Sequence, residues 1–269
     1  MMGVADGMEM ARRLGMSRRD FVRSGLGALA VSVLPGCGAE APTEPPPVAG
    51  PRLTARPGEP ILEPTIGTSS LGLGTTRDGL LHVPEGYDEN TPAPLFVALH
   101  GAGGSATNWA SYPGRADARG MVLLIPDSRA FTWDLIRGGF GPDVEFLNQA
   151  LAHTFDRCRI DPARIALGGF SDGASYALSL GVSNGDLFSH LIGYSPGFIQ
   201  PSDPIVGKPP VFVSHGSQDS VLPVSTTRNV IVPTLRENGY DVTYVEFDGG
   251  HEVPAVISET ALDWFLGVG

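Results

Sequence analysis

From Leu80 onward, short apolar runs rich in β-branched residues alternate with longer stretches in which apolar side chains recur every three or four positions. The short runs predict strands at Leu80–Val83, Leu95–Leu99, Met121–Ile125, Ile165–Gly168, Leu191–Tyr194, Val211–Ser214 and Val242–Phe247. The longer ones predict helices at Val144–Arg157, Gly173–Val182, Thr226–Asn238 and Val256–Leu266. Strands separated by helices build a mostly parallel central sheet flanked by helices, an α/β fold. The chain has 269 residues, 42% of them hydrophobic, enough for one substantial core and one catalytic domain. No internal repeat is visible, and the loop between Ser195 and Pro209 is too short for a large lid.

Upstream the pattern breaks. Ser17-Arg18-Arg19-Asp20-Phe21-Val22-Arg23 precedes a weakly apolar run from Gly25 to Leu34 and resembles a twin-arginine export signal. That run is about half the roughly 20 residues a membrane-spanning helix needs, which points to a cleaved signal rather than a permanent anchor. It ends in Leu34-Pro35-Gly36-Cys37, which resembles a bacterial lipobox, although Pro35 stands where a small residue is usual. Residues 1–36 are therefore read as a signal peptide and Cys37 as the lipidated first residue of a mature chain tied to a bacterial membrane, with soluble secretion as the alternative. Residues 37–60 hold many prolines and almost no large apolar side chain, the composition of an extended tether. Residues 61–269 remain as the catalytic domain. With Cys37 acylated, Cys158 has no partner and is expected to be a buried packing residue.

Charge narrows the partners. The formal net charge is −11, and Lys208 is the sole lysine. Loss of residues 1–36 takes away five arginines and three acids, so the remainder is more acidic still. Such a surface repels phosphate backbones and excludes nucleic acid as a partner, while neutral esters meet no such barrier.

The chemical signal is Gly169-Phe170-Ser171-Asp172-Gly173, which follows a predicted strand and opens a predicted helix. That is the setting of a nucleophile elbow, in which flanking glycines permit a tight turn and the helix N-terminus favours developing negative charge. The bland alternative is a plain turn between strand and helix. A serine hydroxyl needs a base. His251 follows the last strand through Asp248-Gly249-Gly250, whereas His82 and His100 precede the serine, His153 lies in a helical pattern and His190 begins a strand. His215 is the rival, but Gly216-Ser217-Gln218-Asp219 follows it, and an orienting acid is expected in that loop, ahead of the base. Asp219 takes that role. Asp248 is a candidate for a supporting group or a solvated charge.

An acyl transfer also needs donors for an oxyanion. His100-Gly101-Ala102-Gly103-Gly104 directly follows the strand Leu95–Leu99, so the backbone N–H groups of Ala102 and Asp172 are the candidates, with His100 bracing the loop. A phosphate-binding reading of this loop lacks both the Gly-Lys-Ser/Thr ending and the Gly-x-Gly-x-x-Gly spacing. Asp127 to Asp134 lies at the carboxyl edge of the sheet, where Gly101, Phe131 and Trp133 are candidates to line a substrate pocket. For Trp133, closing the core is an equal alternative.

Leu99-His100-Gly101-Ala102-Gly103-Gly104, Gly169-Phe170-Ser171-Asp172-Gly173, His215-Gly216-Ser217-Gln218-Asp219 and Gly250-His251-Glu252-Val253-Pro254 occur in that order. Together they resemble the phospholipase/carboxylesterase family of α/β-hydrolases, from about Leu80 to the C-terminus. The resemblance implies the α/β-hydrolase fold and hydrolysis of carboxylic esters by an acyl-enzyme route, with no metal and no organic cofactor. Small-molecule esters or polymer ends are the implied substrates, short-chain or aromatic in particular. Feruloyl esterases and polyhydroxyalkanoate depolymerases are the alternative substrate classes, and a prolyl-oligopeptidase-like peptidase and a non-catalytic surface lipoprotein are the alternatives outside them. Asp172 and Ala174 depart from the family pattern, where an amide and a second glycine are frequent.

Overall fold

The computed structural model describes residues 50–268 apart from 75 and 76; the export signal and Cys37 lie outside the described residues. Eight strands form one sheet in the order β1-β2-β4-β3-β5-β6-β7-β8. They are β1 (Gly67–Ser70), β2 (Gly79–Val83), β3 (Ala93–Leu99), β4 (Val122–Pro126), β5 (Ile160–Phe170), β6 (His190–Tyr194), β7 (Val211–Gly216) and β8 (Val242–Phe247). β1 and β2 run antiparallel at one edge, and every pair from β4 through β8 is parallel.

The sheet is covered on both faces, and the central strands are accordingly apolar on both. Along β3, Leu95, Val97 and Leu99 enter one core layer while Phe96 and Ala98 enter the other. The first layer takes helices Pro142–Phe155 and Asp172–Gly181, through residues such as Leu147, Leu151, Tyr176 and Leu180. The second takes helices Tyr112–Asp117 and Ala255–Leu266, through Tyr112, Ala116, Leu262 and Phe265.

Several elements differ from the sequence expectation. The segment assigned to the tether is packed against the body over its last ten residues. Leu53 is only 1% exposed and belongs to the first core layer. Asn184 clamps the backbone on both sides of it, accepting from Leu53 N–H at 2.9 Å and donating to Pro51 O at 2.6 Å. Asn148 accepts from Thr54 and Ala55 N–H, and Arg52 and Arg56 pair with Asp186. The boundary at residue 60 is thus corrected to about residue 50, because side chains of the body supply the hydrogen bonds this stretch cannot make with itself. β1 was not expected, since Gly67-Thr68-Ser69-Ser70 carries no apolar face. The helix expected over Thr226–Asn238 holds a π-helical turn at Thr227–Ile231 followed by Val232–Glu237. Pro233 has no N–H to continue the regular ladder, and the preceding turn widens.

Candidate active site

β5 delivers Ser171 at the carboxyl edge of the sheet, and the turn into helix Asp172–Gly181 is as tight as the two glycines allow. A Cβ on Gly169 would lie 2.4 Å from the Gly173 backbone, and one on Gly173 would lie 2.3 Å from Leu99 O. Ser171 sits between them at φ 58°, ψ −121°, a conformation that costs on the order of 1–3 kcal/mol and lifts its hydroxyl clear of the turn.

The loop after β8 brings His251 over this serine. Ser171 Oγ lies 2.9 Å from His251 Nε2, and His251 Nδ1 lies 2.6 Å from Asp219 Oδ2. The other Asp219 oxygen accepts from Val221 and Leu222 N–H, both at 2.8 Å. Burial alone raises the Asp219 pKa, but the hydrogen bonds from His251, Leu222 and Val221 outweigh it and hold the carboxyl below its ordinary range. The carboxylate is therefore an ion that accepts Nδ1–H and leaves Nε2 free to accept from the serine. Phe170 packs beside the His251 ring at 4.7 Å. His215, the rival base, is wholly buried; its ring nitrogens bond Leu222 O at 2.9 Å and Thr227 Oγ1 at 2.8 Å, and Asp219 Oδ2 lies 3.1 Å away, so it is not the base for Ser171. Asp248 accepts from the Gln218 side chain at the surface.

β3 ends beside β5, with Leu99 opposite Gly169, so the His100–Gly104 loop borders the elbow. Gly103 N–H donates to Phe131 O and Gly104 N–H to Gly101 O, while among the described residues the N–H groups of Ala102 and Asp172 have no backbone acceptor. His100 braces the loop as expected: its Nδ1 meets Gly101 O at 2.7 Å and its Nε2 accepts from Ser128 N–H at 3.0 Å. Burial depresses its pKa, which keeps this ring neutral with its proton on Nδ1. Arg77 adds a bond to Gly104 O, and Thr132 donates to Asp172 at 2.6 Å.

The pocket residues are corrected in part. Trp133 is fully buried, donates its indole N–H to His100 O at 2.8 Å and packs between His100 and Tyr176, so it supports the loop from beneath and lines nothing. Phe131 is 72% exposed with its ring against Gly103, a rim residue outside the cleft. Gly101 does line a cleft of about 360 Å³ that opens beside the elbow, together with Asn108, Trp109, Tyr112, Phe170 and Val253. The sequence reading missed Trp109 and Tyr112, whose signal was their place directly after the Gly-rich loop.

Residues 136–263, which include Ser171, Asp219 and His251, match the phospholipase/carboxylesterase family. NocK of Nocardia uniformis subsp. tsuyamanensis, named as an esterase, is 30% identical over 231 residues, 80% of this chain and 66% of that one. Feruloyl esterase B of Thermothelomyces thermophilus is 32% identical over 43% of this chain and 42% of its own, and feruloyl esterase C of Emericella nidulans is 25% identical over 71% and 81%. The chain thus spans under two thirds of the length of the first two relatives. Among solved structures, a Bacillus cereus carboxylesterase superposes with a TM-score of 0.55 at 19% identity, covering 72% of this chain and 95% of its own. A ferulic acid esterase of Anaeromyces mucronatus gives 0.53 at 18%, covering 78% and 95%. The eight-stranded sheet has the fold of these esterases, and the stretch that holds Ser171, Asp219 and His251 is the one that matches the phospholipase/carboxylesterase family.

Proposed function

We propose that this chain is a serine-dependent hydrolase of carboxylic esters, with Ser171 as nucleophile, His251 as base and Asp219 as orienting acid. The observation that carries this is the unbroken path from Asp219 Oδ2 through His251 to Ser171 Oγ, at 2.6 and 2.9 Å, on a serine held at positive φ. Ser171 Oγ attacks the ester carbonyl carbon while its proton passes to His251 Nε2. The carbonyl π pair moves to oxygen, and the Ala102 and Asp172 N–H groups receive that oxyanion. Collapse breaks the bond to the alcohol, which leaves with the proton from His251. Water then attacks the acyl-serine by the same route, its proton going to His251 and finally back to Ser171 as the acid departs.

Short-chain and aromatic esters fit the cleft, whose aromatic wall of Trp109, Tyr112 and Phe170 accepts a flat group. The feruloyl esterases among the relatives support the aromatic class. The short stretch between β6 and β7, which carries no helix, supports an open site. We further propose export and lipidation at Cys37. Asn184, which clamps the strap, follows the end of the ten-residue helix that starts beyond Ser171, about 15 Å along its axis from the serine. A tether from Cys37 joins the body on that side, away from Ser171.

The test is hydrolysis of p-nitrophenyl esters from acetate to palmitate, and of methyl ferulate, by the full chain and its Ser171→Ala variant. Loss of turnover in the variant with preference for short or aromatic esters is expected; equal background in both proteins refutes the reading. For the anchor, labelled palmitate should enter the chain and not its Cys37→Ala variant.

A further inference from the structure

The helix that starts beyond Ser171 carries a serine at every fourth position. Ser175 and Ser179 lie on the same side of it as the nucleophile, Ser183 follows just past its end, and each of the three is at most 1% exposed. A buried hydroxyl is costly unless it is hydrogen-bonded, and all three are. Ser175 Oγ donates to Ser171 O at 3.3 Å and Ser179 Oγ to Ser175 O at 2.7 Å, one turn back along the helix. With the proton of each spent on the helix, a lone pair remains on each oxygen, and the loop after β6 takes it. Gly197 N–H donates to Ser175 Oγ and Gln200 N–H to Ser179 Oγ, both at 2.9 Å, while Ser183 Oγ donates to Ser202 O at 2.6 Å. The backbone of a loop that carries no helix is thus held by the helix that carries the nucleophile.

This loop borders the reacting centre. It leaves β6 at Tyr194, whose carbonyl accepts from Ser171 N–H at 2.9 Å, and its first residue, Ser195, is buried at φ 51°. Among the described residues, Ser171 and Ser195 are the two non-glycine residues at positive φ, a conformation that persists where the surroundings enforce it. Two residues on, a Cβ at Gly197 would stand 3.2 Å from Leu222 Cδ2, and Leu222 N–H is one of the two backbone donors to Asp219. Gly197 and Leu222 close a wall on the β6–β7 side of Ser171, across the elbow from the cleft beside the loop that follows β3. Resting on the assignment of Ser171 as the nucleophile, we infer that Ser175 and Ser179 are positioning residues that pin this wall and so set the length of one half of the ester. The cleft on the β3 side takes the flat group. The half on the β6 side meets a wall that cannot retreat while both serine contacts are made, and it is held to a few carbons. Alanine would not serve at either position, since only a side-chain oxygen accepts the Gly197 and Gln200 N–H groups.

The experiment measures kcat and KM on two series, p-nitrophenyl esters from acetate to hexanoate and acetate esters from methyl to hexyl, for the unsubstituted full chain and its Ser175→Ala, Ser179→Ala and Leu222→Ala variants. Discrimination against added methylenes is what a fixed wall supplies, so in one series the ratio of kcat/KM for the longest ester to that for the shortest should rise by about threefold or more in Ser175→Ala and Leu222→Ala. The gain should lie in KM, Ser179→Ala should give a smaller rise, and the series that responds names the half of the ester that meets the wall. Leu222→Ala leaves both serines in place, so the length test stands even where a serine variant does not fold. Ratios equal to the unsubstituted protein in both series, or a loss uniform over all lengths, overturn the inference. Amide hydrogen exchange of the resting protein reads the two contacts without turnover. Gly197 should exchange about tenfold faster in Ser175→Ala than in the unsubstituted chain, and Gln200 likewise in Ser179→Ala. Equal exchange rates overturn the inference. If the unsubstituted chain hydrolyses no ester, the esterase reading fails, while these rates still decide whether the two serines pin the loop.

Discussion

Leu53→Ala tests whether the strap at residues 51–60 is part of the fold. The substitution removes three carbons from a side chain that is 1% exposed, worth about 2.4 kcal/mol in lost transfer free energy at ~0.8 kcal/mol per carbon. A cavity term adds to this wherever the surroundings cannot collapse. Here they cannot collapse freely, because Asn184 and Asn148 fix the backbone on both sides of residue 53. The expected loss is therefore about 3–4 kcal/mol, within the range of buried leucine truncations. Arg52→Ala is the control. Its pairing with Asp186 is about one third exposed and should contribute under about 1 kcal/mol.

The assay is urea unfolding followed by tryptophan fluorescence, for which buried Trp109 and Trp133 are the reporters. A lower midpoint at unchanged slope reads directly as lost stability. Because the strap docks at the far end of the elbow helix, kcat should stay within about twofold of the unsubstituted value below the transition. A loss under about 1 kcal/mol for Leu53→Ala, or one no larger than that of Arg52→Ala, refutes the reasoning and returns residues 51–60 to a loose tether.

What could be read from the sequence is what short-range pattern encodes. The elbow was legible because its strand, glycines, serine and helix are contiguous: Gly169 must accept the Gly173 backbone at 2.4 Å, a demand set within the motif, although the one at Gly173 comes from Leu99 O at the end of β3. Asp219 and His251 were legible as positions because each follows a strand end, although the 2.6 Å contact between them joins loops that only the sheet brings together. The strap was not legible, since its single large core residue, Leu53, has no periodicity and its partners Asn148 and Asn184 lie about a hundred residues away along the chain. Trp133 illustrates the same limit. An aromatic residue in a loop at the sheet edge fits a pocket wall and a core equally well, and the choice is made by an acceptor, His100 O, placed by another loop. The two histidines show it again: the sequence offers His215 and His251 as rivals for one role and does not show that the ring of His215 is spent on Leu222 O and Thr227 while that of His251 joins Asp219 to Ser171.

Three further outcomes are expected. Trp133→Phe removes the donor to His100 O and should cost about 1–2 kcal/mol in stability, while the loosened oxyanion loop lowers kcat with little change in KM; an unchanged kcat would separate Trp133 from catalysis. Gly101→Ala sets a methyl 3.2 Å from Ser171 Cβ and 3.5 Å from the Phe170 ring, so turnover of p-nitrophenyl butyrate should fall about tenfold at an unchanged melting temperature. The last concerns pH. Asp143 is buried in the first turn of helix Pro142–Phe155 and holds the loop on either side of Trp133, accepting from Arg129 N–H at 2.5 Å and Asp134 N–H at 2.7 Å, and burial, with the nearby Asp134 carboxyl, pushes its pKa up to about 6. A raised carboxyl pKa means that the fold prefers the neutral form. Its contribution is thus fully present below the unfolded value of 3.8 and is lost as pH rises to about 6. At 1.36 kcal/mol per unit the loss is about 3 kcal/mol. Asp143→Asn has no charge to bury, and subtracting its stability curve from that of the unsubstituted protein cancels the other carboxyls, including Asp186, whose pairing with Arg52 gives the opposite slope. The difference should turn against the unsubstituted protein by about 3 kcal/mol between pH ~4 and ~7. Parallel curves would mean that Asp143 is charged throughout and that its two N–H donors outweigh its burial.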